Sequence, residues 1–369
     1  MLVFAAFLAI AYALLLLWYV LGWVKMPVFV PQPRSGGNLY FTVLVPFYNE
    51  EQHIITCLEA LAQQDYPSDR TEILLLDDGS TDAGPALVRA WLQAQACPHI
   101  QLVTLPKNGK KTAITAGITR AKGTHIACTD ADCTPPRRWL SLLAAAFEQH
   151  QPYLVAGPVV FHRERRFIEW FQSLDLLGLM GVTGSGIYFR WQHMANGANI
   201  AYSKAAFEAV QGFGGNAHIA SGDDLFLVQK IAQRWPGGVF FLKNADAAVP
   251  TLAMPTLRRF IRQRIRWGSK NAALPEWPVR LSLLLVFLTC WAIVLLGAAA
   301  VFLPEWRWSF AAVLGIKLLA DFVFLGIMCL FFKKTTAMRW FLPAQIAHII
   351  YVAGIGTFSL FNNPRHDRW

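Results

Sequence analysis

Long apolar runs lie near both ends of the chain. Residues 2–24 contain no charged side chain, and further apolar runs lie at about 281–303, 309–332 and 340–361. Each run is long enough to cross a bilayer core of about 30 Å as a helix. We therefore predict one membrane helix at the N-terminus and a group of three near the C-terminus.

The run at 309–332 contains two opposite charges, Lys317 and Asp321. They stand four positions apart, so in a helix they lie on one face and can pair. Pairing lowers the cost of placing charge inside a membrane. We interpret them as a structural ion pair, with an ion pathway as the alternative.

Between the apolar runs the hydrophobic period changes from one element to the next. Short β-rich segments alternate with helical segments, the former at 40–46, 72–77, 100–106 and 125–129, the latter at about 50–64, 83–95 and 111–121. This alternation predicts βαβ units and a mostly parallel sheet. Ligands bind at the carboxyl ends of the strands in such sheets. Polar clusters follow three of the strands, which predicts a nucleotide-handling site there.

Composition supports a membrane protein that carries a soluble-type domain. Of the 369 residues, 55% are hydrophobic and 15% are charged, and the mean hydropathy is +0.36. Soluble chains contain about one quarter charged residues, and disordered chains are far less apolar. The formal net charge of +10 suits an anionic surface. Because the basic residues cluster beside the apolar runs, we expect that surface to be membrane lipid and no nucleic acid partner.

The positions of the basic residues also predict an orientation. Seven Lys and Arg residues lie between 258 and 280 and three lie between 333 and 339. In the loop after the second run the only charged residues are Glu305 and Arg307. Basic loops stay in the cytoplasm. We therefore expect a multi-pass protein of the cell (inner) membrane with residues 25–280 in the cytoplasm. Four crossings would place the C-terminal tail outside.

Asp130 and Asp132 form a D-x-D pattern after the fourth predicted strand. In an extended segment alternate side chains project to the same side. Two carboxylates at this spacing suit Mg²⁺ or Mn²⁺, which prefer oxygen ligands. The alternative is a turn in which Asp caps the helix that follows Pro135 and Pro136.

Two further acidic clusters each allow a functional and a structural interpretation. Asp77 and Asp78 end a strand and begin a turn, where Asp is also common simply because its side chain stabilises turns. Asp223 and Asp224 follow Gly222 and precede an apolar helix. A carboxylate there can act as a general base for an acceptor hydroxyl, or it can simply cap the helix.

The segment Gln263-Arg264-Ile265-Arg266-Trp267 combines a cation with an aromatic ring. In a helix Gln263, Arg266 and Trp267 share one face. Arg can bind phosphate oxygens, and Trp can stack on a sugar ring. The same helix carries an apolar stripe beside many arginines, so it also suits the surface of an anionic membrane.

Seven short motifs occur in the order typical of one enzyme family. They are VPFYNE at 45–50, DDGSTD at 77–82, NGKKTAITAG at 108–117, TDADC at 129–133, NGAN at 196–199, GDD at 222–224 and QRIRW at 263–267. Together they resemble glycosyltransferase family 2, in its membrane-bound, synthase-like form with a QxxRW motif. The resemblance implies an α/β, Rossmann-like GT-A catalytic domain that binds a nucleotide-sugar and is flanked by transmembrane α-helices.

The resemblance implies a role for each matching residue. Those expected to bind the nucleotide-sugar are Pro46, Glu50, Asp77, Asp78, Lys110 and Asp130. Asp132 would bind Mg²⁺ or Mn²⁺, and Asp224 would be the catalytic base. Those expected to bind the acceptor or the diphosphate are Asp223, Gln263, Arg266 and Trp267. Asp223 stands where the family usually has Glu, so its shorter side chain alters the acceptor contact.

These expectations divide the chain into five segments. They are an N-terminal transmembrane anchor at 1–25, a cytoplasmic GT-A domain at 38–255, an amphipathic interfacial helix with QxxRW at 256–280, three transmembrane helices at 281–361 and a short tail at 362–369. The implied activity is an inverting transfer of a sugar from a UDP-sugar to a lipid or glycolipid hydroxyl. The alternatives are a processive polysaccharide synthase that extends a glycan and, less favoured, a non-catalytic membrane scaffold.

Overall fold

The computed structural model describes residues 2–32, 37–214, 223–268 and 276–361. They form two compact units, each described by itself. The sheet unit comprises Pro27–His162 and His193–Leu252, and the helical unit comprises Met1–Met26, Arg163–Gln192 and Ala253–Arg365. The predicted tail at 362–369 lies outside the described residues.

Strands and helices alternate along the chain. The strands are β1 (Phe41–Phe47), β2 (Thr71–Asp77), β3 (Ile100–Thr104), β4 (His125–Cys128), β5 (Leu154–Ala156), β6 (Val159–Phe161), β7 (Ile200–Ser203), β8 (Val239–Phe241) and β9 (Val249–Thr251). The α-helices are α1 (Leu2–Lys25), α2 (Ile54–Ala62), α3 (Gly84–Ala94), α4 (Lys110–Arg120), α5 (Trp139–His150), α6 (Phe167–Tyr188), α7 (Lys204–Ala209), α8 (Asp223–Arg234), α9 (Leu257–Gly268), α10 (Trp277–Phe302), α11 (Arg307–Phe331) and α12 (Phe341–Phe361).

The sheet unit is built on a seven-stranded sheet in the order β3-β2-β1-β4-β7-β5-β8, and β6 pairs with β9 in a second, small sheet. Strands β1 to β4 pair in parallel, and β7 runs antiparallel to β4 and β5. Every residue of β1 and β2 is buried, as expected for parallel strands covered on both faces. The predicted α/β class and the mostly parallel sheet are confirmed.

The helical unit contains the predicted apolar helices. Helices at Leu2–Lys25, Trp277–Phe302, Pro304–Phe331 and Thr335–Phe358 are long and apolar enough to cross a membrane. Lys317 pairs with Asp321 as predicted, and its Nζ donates to Oε1 of Gln345 at 2.8 Å. The Tyr12 hydroxyl donates to the same aspartate. A charged pair inside this unit therefore has its hydrogen bonds supplied by α1 and α12.

Helix α6 belongs to the helical unit although the predicted segment 38–255 includes it. Its buried residues include both apolar and polar side chains, and at Gly181 a Cβ atom would lie 2.6 Å from Sδ of Met328 on α11. The glycine therefore allows α6 and α11 to approach closely. Phe171 and Leu174 are buried and Phe167 is half-buried, so this stretch packs into the core of the helical unit.

Candidate active site

The loops after β1 and β2 are joined by a set of hydrogen bonds. The Asn49 N–H donates to the hydroxyl of Ser80 at 3.0 Å, and Oδ1 of Asn49 accepts the N–H of Thr81 at 2.8 Å. The carboxylate of Asp82 accepts the N–H of Glu51 at 2.8 Å. These contacts hold the two predicted motifs together at the carboxyl ends of neighbouring strands, where the sequence predicts the site.

Asp77 and Asp78 are 2% and 1% exposed, and their carboxylates bind backbone N–H groups. Oδ1 of Asp77 accepts the N–H of Ser80 at 2.8 Å. The two oxygens of Asp78 accept the N–H groups of Asn108 and Gly109, each at 2.8 Å. Asp78 therefore fixes the turn that leads into α4 at Lys110. Direct binding of the uridine by this pair stays a prediction.

Pro46 is buried in β1, opposite Leu76 of β2. Strand β4 pairs with β1 only as far as Leu44, so Pro46 lies beyond the end of β4. A residue without an N–H is tolerated where a strand loses a neighbour. Its predicted part in the nucleotide pocket is not tested by this position.

Lys110, at the start of α4, contacts the carboxylate of Asp130. Asp130 begins a turn in which the N–H of Cys133 donates to the Asp130 carbonyl at 3.1 Å. The D-x-D segment is therefore a turn and not the extended segment assumed from its spacing. Neither Asp130 nor Asp132 caps α5, which begins at Trp139 with Arg138 as the preceding residue.

Acidic groups crowd together around this turn. Burial raises the pKa of Asp132, and the charge of Asp130 raises it further. Burial likewise raises the pKa of Glu50 from 4.5 to about 7, with additional repulsion from Asp132, Asp130 and Asp82. The carboxyl groups of Glu50, Asp130 and Asp132 thus lie close together, and Lys110 places an ammonium group beside Asp130.

This crowding fits a divalent cation. Within the described residues no three His, Cys, Asp or Glu side chains are arranged as a complete metal cage. Mg²⁺ and similar ions are nevertheless often held by one or two carboxylates, with water and phosphate oxygens completing the shell. Asp130 and Asp132 supply two such carboxylates, and the raised pKa of Asp132 marks a place where added positive charge is favourable.

Asp224 lies in the first turn of α8, and its carboxylate is held by two backbone groups. Oδ2 accepts the N–H of Gly197 and Oδ1 accepts the N–H of Leu225, both at 2.8 Å. A Cβ atom at Gly197 would lie 3.3 Å from Nζ of Lys110 and 3.5 Å from Oδ2 of Asp224. The predicted base and the D-x-D pair are therefore neighbours across Gly197 and Lys110. Gly222 and the Asp223 side chain lie outside the described residues.

Two residues that hold this arrangement received no role from the sequence alone. Gly197 orients Asp224, and Asn199 fixes the loop: Oδ1 of Asn199 accepts from Nε1 of Trp139 at 2.9 Å, and its Nδ2 donates to the carbonyls of Pro158 and Ala247. Both belong to the NGAN motif. The sequence signal for these two roles was an Asn two positions after a Gly, because buried amide side chains are usually hydrogen-bonded to backbone groups.

The QxxRW residues belong to the helical unit, on α9. Arg266 is exposed, and Gln263 and Trp267 are half-buried. Oε1 of Gln263 is buried and has no hydrogen-bond partner among the described residues. The helix is strongly amphipathic in sequence, with arginines on its exposed face. Its contact with a membrane surface stays a prediction. Binding of acceptor or diphosphate by these three residues stays a prediction.

Residues 42–211 match the profile of glycosyl transferase family 2. The chain contains a glycosyltransferase family 2 domain. The match covers β1 to β7 and the loops that carry Glu50, Asp78 and Asp130. Asp224 and the QxxRW residues lie beyond the matched segment.

Similar proteins include named glycosyltransferases. The glycosyltransferase AglE of Haloferax volcanii is 32% identical over 122 residues, which are 33% of this chain and 40% of the relative. The dodecaprenyl-phosphate galacturonate synthase of Rhizobium johnstonii is 32% identical over 134 residues, 34% of this chain and 39% of the relative. The matches thus span less than half of either relative.

One solved structure resembles nearly the whole chain. It is a mannosyltransferase from Pyrobaculum calidifontis in complex with GDP-Man and Mn²⁺, with a TM-score of 0.62 and 23% identity over 94% of this chain and 97% of the other. At this identity the likeness establishes the fold alone, which is the GT-A fold with apolar helices.

Proposed function

We propose that the protein is a membrane-bound inverting glycosyltransferase that transfers a sugar from a UDP-sugar to a hydroxyl of a lipid or glycolipid acceptor. The observation that carries this proposal is the placement of Asp224 beside Lys110 and Asp130, at the carboxyl ends of the central strands. The four apolar helices support a membrane acceptor, with the sheet unit in the cytoplasm at the inner membrane.

In the proposed reaction Asp224 removes the proton of the acceptor hydroxyl. The oxygen then attacks the anomeric carbon while the bond to the UDP oxygen breaks on the opposite face, so the configuration inverts. Asp224 is suited to this because Gly197 fixes its carboxylate. Lys110 would bind the leaving diphosphate. Glu50, Asp77, Asp78 and Pro46 would enclose the uridine, and Asp223, Gln263, Arg266 and Trp267 would bind the acceptor or the diphosphate.

Mg²⁺ or Mn²⁺ would be held by Asp132 with Asp130. When bound, such an ion stabilises negative charge on a leaving diphosphate. The site residues fit this ion because burial, together with repulsion from neighbouring carboxylates, raises the pKa of Glu50 and Asp132.

The nature of the acceptor decides whether a base is needed. A hydroxyl must lose its proton during attack, and removing a general base costs about 10²- to 10⁴-fold in rate. A phosphate monoester, the acceptor that the name of the Rhizobium relative indicates for that protein, is already largely ionised at pH 7. A phosphate acceptor therefore needs no carboxylate base.

The test uses the full chain in lipid nanodiscs with Mn²⁺ and a panel of radiolabelled UDP-sugars. Asp224→Asn is compared with wild type on a lipid extract and on a polyprenyl phosphate, and products are sized by chromatography. We expect a small labelled lipid whose formation falls at least about 100-fold in the variant, with UDP binding retained. Equal rates of wild type and Asp224→Asn with the polyprenyl phosphate would show that the acceptor group is a phosphate and not a hydroxyl. A high-mass product would indicate a processive synthase. No product with any donor would overturn the proposal.

A further inference from the structure

Arg264 is a buried cation that the proposed reaction does not use. It lies on α9 inside the QxxRW segment, and its side chain is 6% exposed, whereas Arg266 on the same helix is exposed. Burying a guanidinium is costly unless an opposite charge accompanies it. The groups that surround Arg264 therefore indicate what this second arginine does in the QxxRW segment.

The opposite charge comes from Asp175, on α6. Nη2 of Arg264 lies 2.6 Å from Oδ2 of Asp175, and the two side chains are 6% and 16% exposed. Nε of Arg264 has no hydrogen-bond partner among the described residues, so the pair is not the two-bonded fork that Nε and Nη2 can form together. The two residues that flank Asp175 in the chain, Leu174 and Leu176, are buried and apolar.

The guanidinium also lies against three aromatic rings. Its Cζ atom is 4.5 Å from the ring centre of Trp267, 5.0 Å from that of Phe260 and 5.8 Å from that of Tyr351. A cation over a ring attracts it, most strongly for Trp and in a desolvated setting. One side chain thus connects Asp175 on α6 with the indole of the QxxRW motif.

We propose that Asp175 and Arg264 are positioning residues for Trp267. Asp175 fixes the guanidinium, and the guanidinium fixes the indole. The proposed function gives Trp267 the acceptor or the diphosphate as its ligand; this inference rests on that function and takes the acceptor. The pair acts on the acceptor only through Trp267. The affinity for the UDP-sugar is independent of it.

The experiment separates positioning from stability. Asp175→Asn and Arg264→Met each leave one buried charge unpaired, so both lower the melting temperature. The double variant Asp175→Leu with Arg264→Met leaves no unpaired charge, so its melting temperature returns towards that of wild type. We expect the acceptor KM to be raised about tenfold in all three, because each lacks a fixed cation over Trp267. The UDP-sugar KM stays within about twofold, and Arg264→Lys, which keeps the charge, stays within about threefold of wild type on both.

The matched control is Glu164→Gln, which breaks another ion pair of the helical unit, that of Glu164 with Lys334 at 2.8 Å. It is expected to lower the melting temperature and leave the acceptor KM unchanged. The inference is overturned if the stable double variant has a wild-type acceptor KM, or if Glu164→Gln raises that KM equally. Trp267→Ala separates the two proposals. If it leaves the acceptor KM unchanged, the role of Trp267 itself is wrong. If it raises the KM and the double variant does not, only the positioning role is wrong.

Discussion

Asp78 offers the most direct test of how the sheet unit prepares its nucleotide site. Its two oxygens each accept a backbone N–H at 2.8 Å, and the side chain is 1% exposed. Asp78→Asn keeps one oxygen but turns an NH₂ group towards the second N–H. A hydrogen bond to a charged group contributes about 1.5–3 kcal/mol, and an unsatisfied buried donor adds a penalty. We expect the turn at Asn108 and Gly109 to lose about 2–4 kcal/mol.

This loss is measurable as local opening. About 2–4 kcal/mol corresponds to roughly 30- to 700-fold faster hydrogen exchange at the amides of Asn108 and Gly109, if they exchange by local opening. Because Lys110 follows directly, UDP should lose more affinity than uridine, which lacks the diphosphate. Asp69→Asn is the control, since the Asp69 side chain is 81% exposed.

Two outcomes would refute the reasoning. Unchanged exchange at these amides would show that Asp78 does not hold the turn. Equal weakening of uridine and UDP would show that Asp78 acts on the uracil itself, as the family resemblance suggests, and not through Lys110.

Two further variants probe the charge balance at the D-x-D turn. Lys110→Met removes the ammonium group beside Asp130, so the affinity for Mn²⁺, followed by electron paramagnetic resonance, should rise about fivefold or more; an unchanged affinity would contradict this. Glu50 has a pKa of about 7 in place of 4.5, so its contribution to stability is complete below pH 4.5 and is lost as the pH rises through about 7. In metal-free buffer the melting temperature should therefore fall less between pH 5 and pH 8 in Glu50→Gln than in wild type. An equal fall in both proteins would rule out the raised pKa.

Much of the fold was predictable because it depends on local periodicity. The alternation of short apolar strands and helices indicated the parallel sheet, and the long apolar runs indicated the four long helices. The position of Asp77 and Asp130 at strand ends followed from the same pattern, since the carboxyl ends of parallel strands meet at one edge. The pairing of Lys317 with Asp321 needed only their spacing of four residues.

Contacts between distant segments were not predictable. Nothing near Asp224 indicates that the N–H of Gly197 holds its carboxylate, and the spacing of Asp130 and Asp132 suits a strand as well as the turn that is present. Similarly, α6 has apolar residues on several faces, so its sequence does not reveal that it joins the helical unit. The partner of Arg264 is an isolated aspartate far away along the chain, and only packing brings the two together.

The hydrogen bond from Tyr12 to Asp321 joins residues 309 positions apart. At a synthesis rate of about 5–20 residues per second, α1 is made roughly 15 to 60 s before its partner exists. A charged side chain at position 12 would have no counter-ion during that interval, whereas an unpaired tyrosine hydroxyl costs much less free energy in lipid than an unpaired charge. Lys317 and Asp321 emerge on one helix and neutralise each other at once. Of the three residues joined here, the two charged ones are therefore carried by the helix that reaches the membrane with both partners already present.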